Sequence, residues 1–318
     1  MALHSTPVTL PAEHDTSPAV PQRPRANKQR YRFNTRAGKV FDVFNGAFLL
    51  VVGSVAILPF LYVLAGSFAT EYEITTRPFF LWPSEFITTS YESILGSRAF
   101  VRSFITTVVV TGVGTLIQLV LTALMAYPLS KVDLPGRRTI LSLVVFTMVF
   151  SAGMIPTFLV VRDLGMLNTY WALILPMAIN PFSLIIIKNF FQQLPDELEE
   201  SAKIDGANEL RILRSVIAPL SKPVLATFGL FYAVGIWNDY MSPLLYLSDQ
   251  SMWTLQMVLR QVTAAASLTA DDLATDVPPP VEGIKFAVII VATIPVLLAY
   301  PFLQKHFAKG ILIGSVKG

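Results

Sequence analysis

Long stretches without charge alternate along this chain with short charged ones. The uncharged stretches run from Val43 to Thr70, Ser103 to Ser130, Thr139 to Val161, Leu164 to Ile187 and Phe286 to Gln304, and a sixth, Pro223 to Ser248, carries one carboxylate, Asp239. A bilayer core about 30 Å thick is crossed by roughly 20 mostly apolar helical residues, so each stretch is long enough to span it. None shows the two-residue alternation of a membrane β-barrel. The pattern predicts an all-α integral membrane protein with six transmembrane helices. Pro59, Pro128, Pro156, Pro176 and Pro295 fall inside the stretches. They read as kinks tolerated where neighbouring helices satisfy the freed carbonyls, or equally as hinges.

Composition narrows the chemistry. Only 14% of the 318 residues are charged, against about 25% in an average soluble domain. There is no cysteine, which excludes thiolate nucleophiles and Cys-ligated metals. The histidines are His4, His14 and His306, too scattered for an imidazole metal cluster or a Ser-His pair. The net charge of +3 is too small to point to nucleic acid.

What matters is where the Lys and Arg lie. Arg23, Arg25, Lys28, Arg30, Arg32, Arg36 and Lys39 precede the first stretch, in a tail without the apolar core of a signal peptide. Its first residues read as disordered, and the basic part belongs in the cytoplasm against anionic membrane lipid. Six crossings then place both termini inside. On that reading, seventeen of the 24 Lys and Arg lie on the inner side and six on the outer, with Lys188 at an inner span end. The chain divides into a basic tail (1–39), a six-helix membrane domain (40–305) with outer loops 70–102 and 249–285, and a cytoplasmic tail (306–318).

The inner loop 192–222 is the most unusual part, because Asp196, Glu197, Glu199, Glu200, Asp205 and Glu209 crowd into it. It reads as helix, turn, helix. Pro195 suits the first helical position, the acids behind it complement the helix dipole, Asp205-Gly206 signals a turn and N-cap, and Pro219 ends a second helix over 207–217. Written out, Glu200-Ser201-Ala202-Lys203-Ile204-Asp205-Gly206-Ala207, with Pro219 twelve residues on and Leu213 and Val216 in apolar positions, resembles the cytoplasmic motif of permease subunits of binding-protein-dependent (type I) ABC importers. It departs from that pattern at Ser201 (alanine in the family) and Ala218 (leucine). Both replacements are small, so close seating is not obstructed, although the loss of leucine bulk loosens packing before Pro219.

The resemblance implies the type I importer permease fold and makes this loop the coupling helix, seated in a cleft of a cytoplasmic ATPase. The residue types agree: Ser201, Ala202, Gly206 and Ala207 permit close approach, and the acids offer charge-assisted partners. An amphipathic interfacial hairpin is the plainer alternative. No G-x-x-x-x-G-K-[ST] loop is present to cradle nucleotide phosphates. ATP and Mg are therefore expected on partner ATPase subunits, with no cofactor and no covalent chemistry in this chain.

Within the fifth stretch lies Trp237-Asn238-Asp239-Tyr240. An ionised Asp at mid-bilayer costs at least about 2.5 kcal/mol, so Asp239 should face a polar cavity or a partner. Aromatic faces stack on sugar C–H surfaces, and Asn and Asp bind hydroxyls. In the family, such a stretch is typical of the carbohydrate (maltose-type) branch, which implies an oligosaccharide cargo, a non-sugar solute being the alternative. A structural or gating role for Asp239 is the stronger reading, paired with backbone or with a basic residue of the partner permease, or placed near the outer interface where Trp and Tyr belts are expected. By resemblance, the outer loop 249–285, with Pro278-Pro279-Pro280, is where a solute-binding protein docks; a solvated loop reads as well. Gly310 and Gly314 mimic a helix-pairing motif but fall after the last span. The ending 309–318 also resembles carbohydrate permeases. The implied assembly, in the bacterial cytoplasmic membrane, adds a second permease, two ATPases and an extracellular solute-binding protein. An ion-coupled secondary transporter or an intramembrane enzyme has only Asp239 to build on.

Overall fold

The computed structural model describes residues 36–272 and 281–314. The basic tail up to residue 35, the Pro278-Pro279-Pro280 run and residues 315–318 lie outside the described residues. Every regular element among the described residues is helical. In chain order they are α1 (Arg36–Ser67), α2 (Glu71–Thr76), α3 (Thr89–Gly96), α4 (Arg98–Ser130), α5 (Arg137–Val149), α6 (Met154–Asp163) and α7 (Trp171–Ile174, continued by a 3-10 turn over Leu175–Met177). There follow α8 (Pro181–Phe191), α9 (Asp196–Ile204), α10 (Glu209–Leu220), α11 (Lys222–Trp237), α12 (Met241–Tyr246), α13 (Leu255–Asp272) and α14 (Val281–Gly314).

Three helices are long and apolar enough to cross a membrane on their own: Gly38–Ser67 within α1, the whole of α4, and Glu282–Ala299 within α14. The other three expected spans are broken. α5 and α6 meet at 117° and α7 and α8 at 54°, so each pair is a bent span or a re-entrant loop; the fifth expected stretch breaks after Trp237, and the 87° bend between α10 and α11 lies before it, at the end of the acidic loop. Local chemistry explains the first two breaks. Between α5 and α6, Gly153 adopts φ 84 and ψ 177, a backbone region essentially confined to glycine. Pro156 then sits in the first turn of α6, where a missing N–H costs nothing. Between α7 and α8, the Asn180 side chain accepts the Ser183 N–H at 3.0 Å and Pro181 opens the new helix. Pro156 and Pro176 thus mark breaks, whereas Pro59 and Pro128 lie inside unbroken helices.

The chain divides at Val55 into two compact units. In the first, the described part of α1 exposes Phe41, Phe44, Phe48 and Leu50. In the second, α4 is the central element, packed against α11 and α8 along its length and against α3, α13 and α7. Close approach to α11 depends on small residues. A Cβ at Gly114 would lie 2.8 Å from Ile236 Cδ1, and one at Gly229 would lie 2.9 Å from Leu119 Cδ1. The Thr122 and Tyr232 hydroxyls join the same two helices at 3.0 Å. α14 packs against α11, α13, α3 and α2. Much of the expected outer loops is helical, as α2, α3 and α13, and α14 begins before Phe286 and runs on to Gly314.

Candidate functional site

The acidic loop folds as helix, turn, helix, with its caps placed differently from expectation. Pro195 is the N-cap of α9 rather than its first helical residue, and Asp196, Glu197 and Glu199 occupy the first turn, where negative charge complements the helix dipole. α9 ends in a Schellman turn. Gly206 takes φ 77, its N–H reaches Lys203 O at 3.0 Å, and the Ala207 N–H reaches Ala202 O at 3.0 Å. Asp205 is consequently the C-cap of α9, and the cap of α10 is Asn208, whose side chain accepts the Arg211 N–H at 2.9 Å. Nor does Pro219 end the second helix. The chain widens into a π turn over Leu213–Ile217, closed by the Ala218 N–H to Leu213 O, and continues to Leu220. A proline has no N–H for the carbonyl four residues back and its ring crowds it, and a π turn absorbs both problems.

The two faces of the loop differ sharply. Glu200, Ser201, Ile204, Asp205 and Gly206 are exposed, and Ala202 and Ala207 half-buried. Ile204, at 87% exposure, and Leu210 add apolar surface beside the carboxylates. On the other face, Ile212, Leu213 and Ile217 enter a core with Ala126, Leu129, Leu184, Ile187 and Phe191. Glu199 is turned inward, 8% exposed. It pairs with Lys131 and accepts from the Tyr127 hydroxyl at 3.3 Å. The same hydroxyl donates to Glu209 at 2.6 Å, and Lys203 pairs with Glu209 at 3.1 Å. That hydrogen-bonded carboxylate holds the Lys203 ammonium above the usual lysine range. Lys188, also buried, donates to Gln192 at 2.7 Å.

The second candidate set is not brought to one place. Trp237 is buried, its indole N–H donates to Ala292 O at 3.0 Å, and its ring meets Phe104 edge-on. It braces α11 against α14 and α4. Asn238 is exposed and donates to Val234 O of its own helix at 2.9 Å. Tyr240 lies under the Arg260 guanidinium, 5.9 Å from the ring centroid. Trp237 lines a small apolar space of about 260 Å³ with Val108, Leu230 and Pro295, whereas Asp239 borders a larger and more polar one. Half-buried, it accepts the Ser242 N–H at 3.1 Å and lines a space of about 700 Å³ with Gln118, Thr147, Ser151, Asn180 and Tyr232 among others. The break after Trp237 belongs to this geometry, since Asp239 lies in the gap between α11 and the short α12 and accepts an N–H from the first turn of α12, where the fifth stretch had read as unbroken.

The cavity wall thus presents amides, hydroxyls and one carboxylate, groups that exchange hydrogen bonds with a polyol. Asn180 spends its amide oxygen on the cap of α8 and leaves its NH₂ edge. Sequence reasoning missed Gln118, Tyr127 and Lys131, and read Glu199 with the acids offered to a partner, whereas it is turned inward. The signal available for Tyr127 and Lys131 was their place at the end of an apolar stretch beside the acidic loop. A buried Gln118 within a span was legible as a polar residue that lipid would not tolerate.

Comparison with known proteins agrees with this architecture. Residues 118–313 match the model of the binding-protein-dependent transport system inner membrane component family. The chain is 60% identical to Protein LplC of Bacillus subtilis (strain 168), over 90% of this chain and 97% of that protein. It is 52% identical to the polygalacturonan/rhamnogalacturonan transport system permease protein YtcP of the same organism, over 88% of this chain and 99% of that one. Among solved structures, a chain of a bacterial ABC transporter involved in the import of the acidic polysaccharide alginate superposes with TM-score 0.78 at 32% identity, covering 86% of this chain and 99% of that chain. The fold is accordingly that of a type I ABC importer permease, as the motif around Glu200 and Asp205 implied. With well over half its length inside the family model and both relatives matched almost end to end, the chain belongs to the family of inner membrane components of binding-protein-dependent transport systems.

Proposed function

We propose that this chain is one permease subunit of an ATP-driven importer that takes up an oligosaccharide delivered by an extracellular solute-binding protein. It works with a second permease and two cytoplasmic ATPases, which bind the ATP and Mg. In this reading α5–α6 and α7–α8 are bent spans, α11 carries the fifth span and α10 stays with the inner loop, so that six helices cross the bacterial cytoplasmic membrane and both termini are cytoplasmic. Loop 192–222 is the coupling element. The observation that carries the reading is the two-faced loop: Glu200, Ile204 and Asp205 stand exposed on a rigid helix that ends in a Schellman turn, while its other side is packed into the membrane domain. An exposed Ile among carboxylates is a poor solvent face and a good docking face. ATPase closure pushes this helix, and the cavity bordered by Asp239 opens alternately to the two sides.

The sugar cargo is supported by the hydroxyl and amide lining and by the names of the relatives. Because two of these concern acidic glycans, uronate oligosaccharides are the first to test. Asp239 brings negative charge to this wall, so an anionic cargo calls for its cations on the partner permease.

The test is co-purification. A tagged chain extracted in mild detergent from cells expressing its native operon brings down a nucleotide-hydrolysing subunit, and Ile204→Asp loses it. Wild type that never retains such a subunit would refute the importer reading. Asp239→Asn, assayed for uptake and for ATP hydrolysis in the assembled complex, tests the pathway; unchanged kinetics in both remove Asp239 from it.

A further inference from the structure

We infer that Tyr127, Lys131 and Glu199 form a rigid joint that carries the movement of the loop into the cavity-lining helix α4, so that these are positioning residues for transport. The inference rests on the coupling reading of loop 192–222 and specifies how that loop does its work.

Three observations place the joint. First, both helices of the loop converge on one turn of α4. Glu199 of α9 pairs with Lys131 at the end of α4, and the Tyr127 hydroxyl, one turn earlier, donates to Glu209 of α10 at 2.6 Å and to Glu199 at 3.3 Å. The Lys131 ammonium also lies 4.8 Å from the centroid of the Tyr127 ring. Second, Glu199 is buried although its neighbour Glu200 is exposed. A carboxylate whose task was solvation or docking has no reason to be turned inward at a desolvation cost. One whose task is to fasten has that reason, since a buried charge holds tightly to its partner and resists separation. Third, α4 is a single unbroken helix from the joint to the cavity. Gln118 lies nine residues before Tyr127, about 14 Å along the axis at 1.5 Å per residue. A rigid helix fastened at one end to the loop displaces its cavity residues with it.

Packing alone would also hold the loop, through Ile212, Leu213 and Ile217. Apolar contacts, however, are non-directional and permit sliding. The charged hydrogen bonds define one arrangement, and they span 68 to 82 residues of sequence.

The experiment uses the whole complex with its native partners in lipid vesicles, with the cognate solute-binding protein and a polygalacturonate digest as probe. Tyr127→Phe removes one hydroxyl and keeps the ring. The ATPase still co-purifies, and the stimulation of ATP hydrolysis by the loaded binding protein falls about tenfold, the scale of one hydrogen bond to a charged group. Undiminished stimulation, or loss of the ATPase from the complex, overturns the joint; the latter would mean that the cluster only shapes the docking face. A second arm does not depend on that variant. The chain has no cysteine, so Lys131→Cys/Glu199→Cys creates a unique pair, removing both charges together and leaving no orphan. Bridging the pair with a short bis-thiol reagent leaves hydrolysis and its stimulation at least at the unbridged level. A block on bridging that reduction reverses means that loop and helix must separate during the cycle, and refutes the inference. Ile204→Asp separates the two levels. If it leaves the ATPase bound, the coupling reading itself fails and the joint falls with it; if docking is lost there and kept in Tyr127→Phe, docking and transmission are distinct.

Discussion

The two ends of α4 handle charge in opposite ways. At the Lys131 end, ion pairs reach between elements: Lys131 of α4 to Glu199 of α9, and Lys203 of α9 to Glu209 of α10. At the Arg98 end, the ion pairs among the described residues lie within one turn, Arg77 with Glu73 and Lys285 with Glu282. Glu73 is buried like Glu199, but its partners are local. It accepts the Ser84 N–H at 3.0 and 2.9 Å and the Ser84 hydroxyl at 2.9 Å. Glu71 reaches further, to the backbone N–H groups of Glu282 and Gly283 at 3.3 Å. The same kind of group, a buried carboxylate, thus stiffens one loop at the Arg98 end and ties α9 to α4 at the Lys131 end, where the exposed Glu209 adds α10 through Tyr127. Charge that only shapes a loop can be lost with local consequences. Charge that bridges elements cannot.

That contrast can be broken, most forcefully at Lys131. Lys131→Met leaves the buried Glu199 without its ammonium partner; because Lys131 is itself partly exposed and Tyr127 still donates to Glu199, the cost falls below the figure of about 3 to 5 kcal/mol typical of a fully buried pair. A drop of several degrees or more in the melting temperature of the detergent-solubilised chain is expected, with partial rescue by Glu199→Gln in the same chain. Next is the α4–α11 contact, on which the mechanical continuity of α4 depends. Gly114→Leu overpacks a site where even a Cβ meets Ile236 at 2.8 Å, and an overpacked core site costs about 1 to 3 kcal/mol; thermal denaturation reads it. Asp239→Asn lies between the two ends. It retains an oxygen for the Ser242 N–H, so uptake falls while melting temperature and protein level stay as in the wild type.

The smallest effect is expected at Glu73. Burial pushes its carboxyl up, but the Ser84 N–H and the Arg77 guanidinium more than offset this and hold it below the ordinary value of 4.5. A depressed carboxylate contributes stability that is present above the unfolded value and lost as pH falls through the folded one. Acidification from neutrality to below pH 4.5 should therefore lower the melting temperature more in the wild type than in Glu73→Gln, with no difference in binding-protein-stimulated hydrolysis. A Glu73 variant that impaired that stimulation as strongly as Tyr127→Phe would erase the distinction between the two ends.

Much of this was legible in advance for reasons that can be named. Charge-free length is a requirement of the bilayer, so the stretches that carry α1, α4 and α14 announced themselves. The acidic helix with Gly206 behind it followed from dipole and cap chemistry, both local. The bends were harder. Hydropathy does not register a break, and Thr139–Val161 is apolar on both sides of Gly153, so the hint at the 117° turn was Pro156, read as a kink or hinge, without the size of the bend. Trp237 was read with Asp239 because they are neighbours in sequence. The helix ends between them, and the indole turns to the Ala292 carbonyl while the carboxylate turns to the cavity.

By itself, then, the sequence determined the environment of the chain, the identity of its apolar stretches and the turn that closes α9, because these depend on hydrophobic length and on backbone preferences of single residues. Tertiary structure alone decided that Glu199 is buried against Lys131 while Glu200 stands exposed, and that Asp239 rather than Trp237 meets the large polar cavity. Adjacent residues on a helix point about 100° apart, and which of those directions leads to solvent, cavity or a partner depends on what chain from elsewhere is packed alongside.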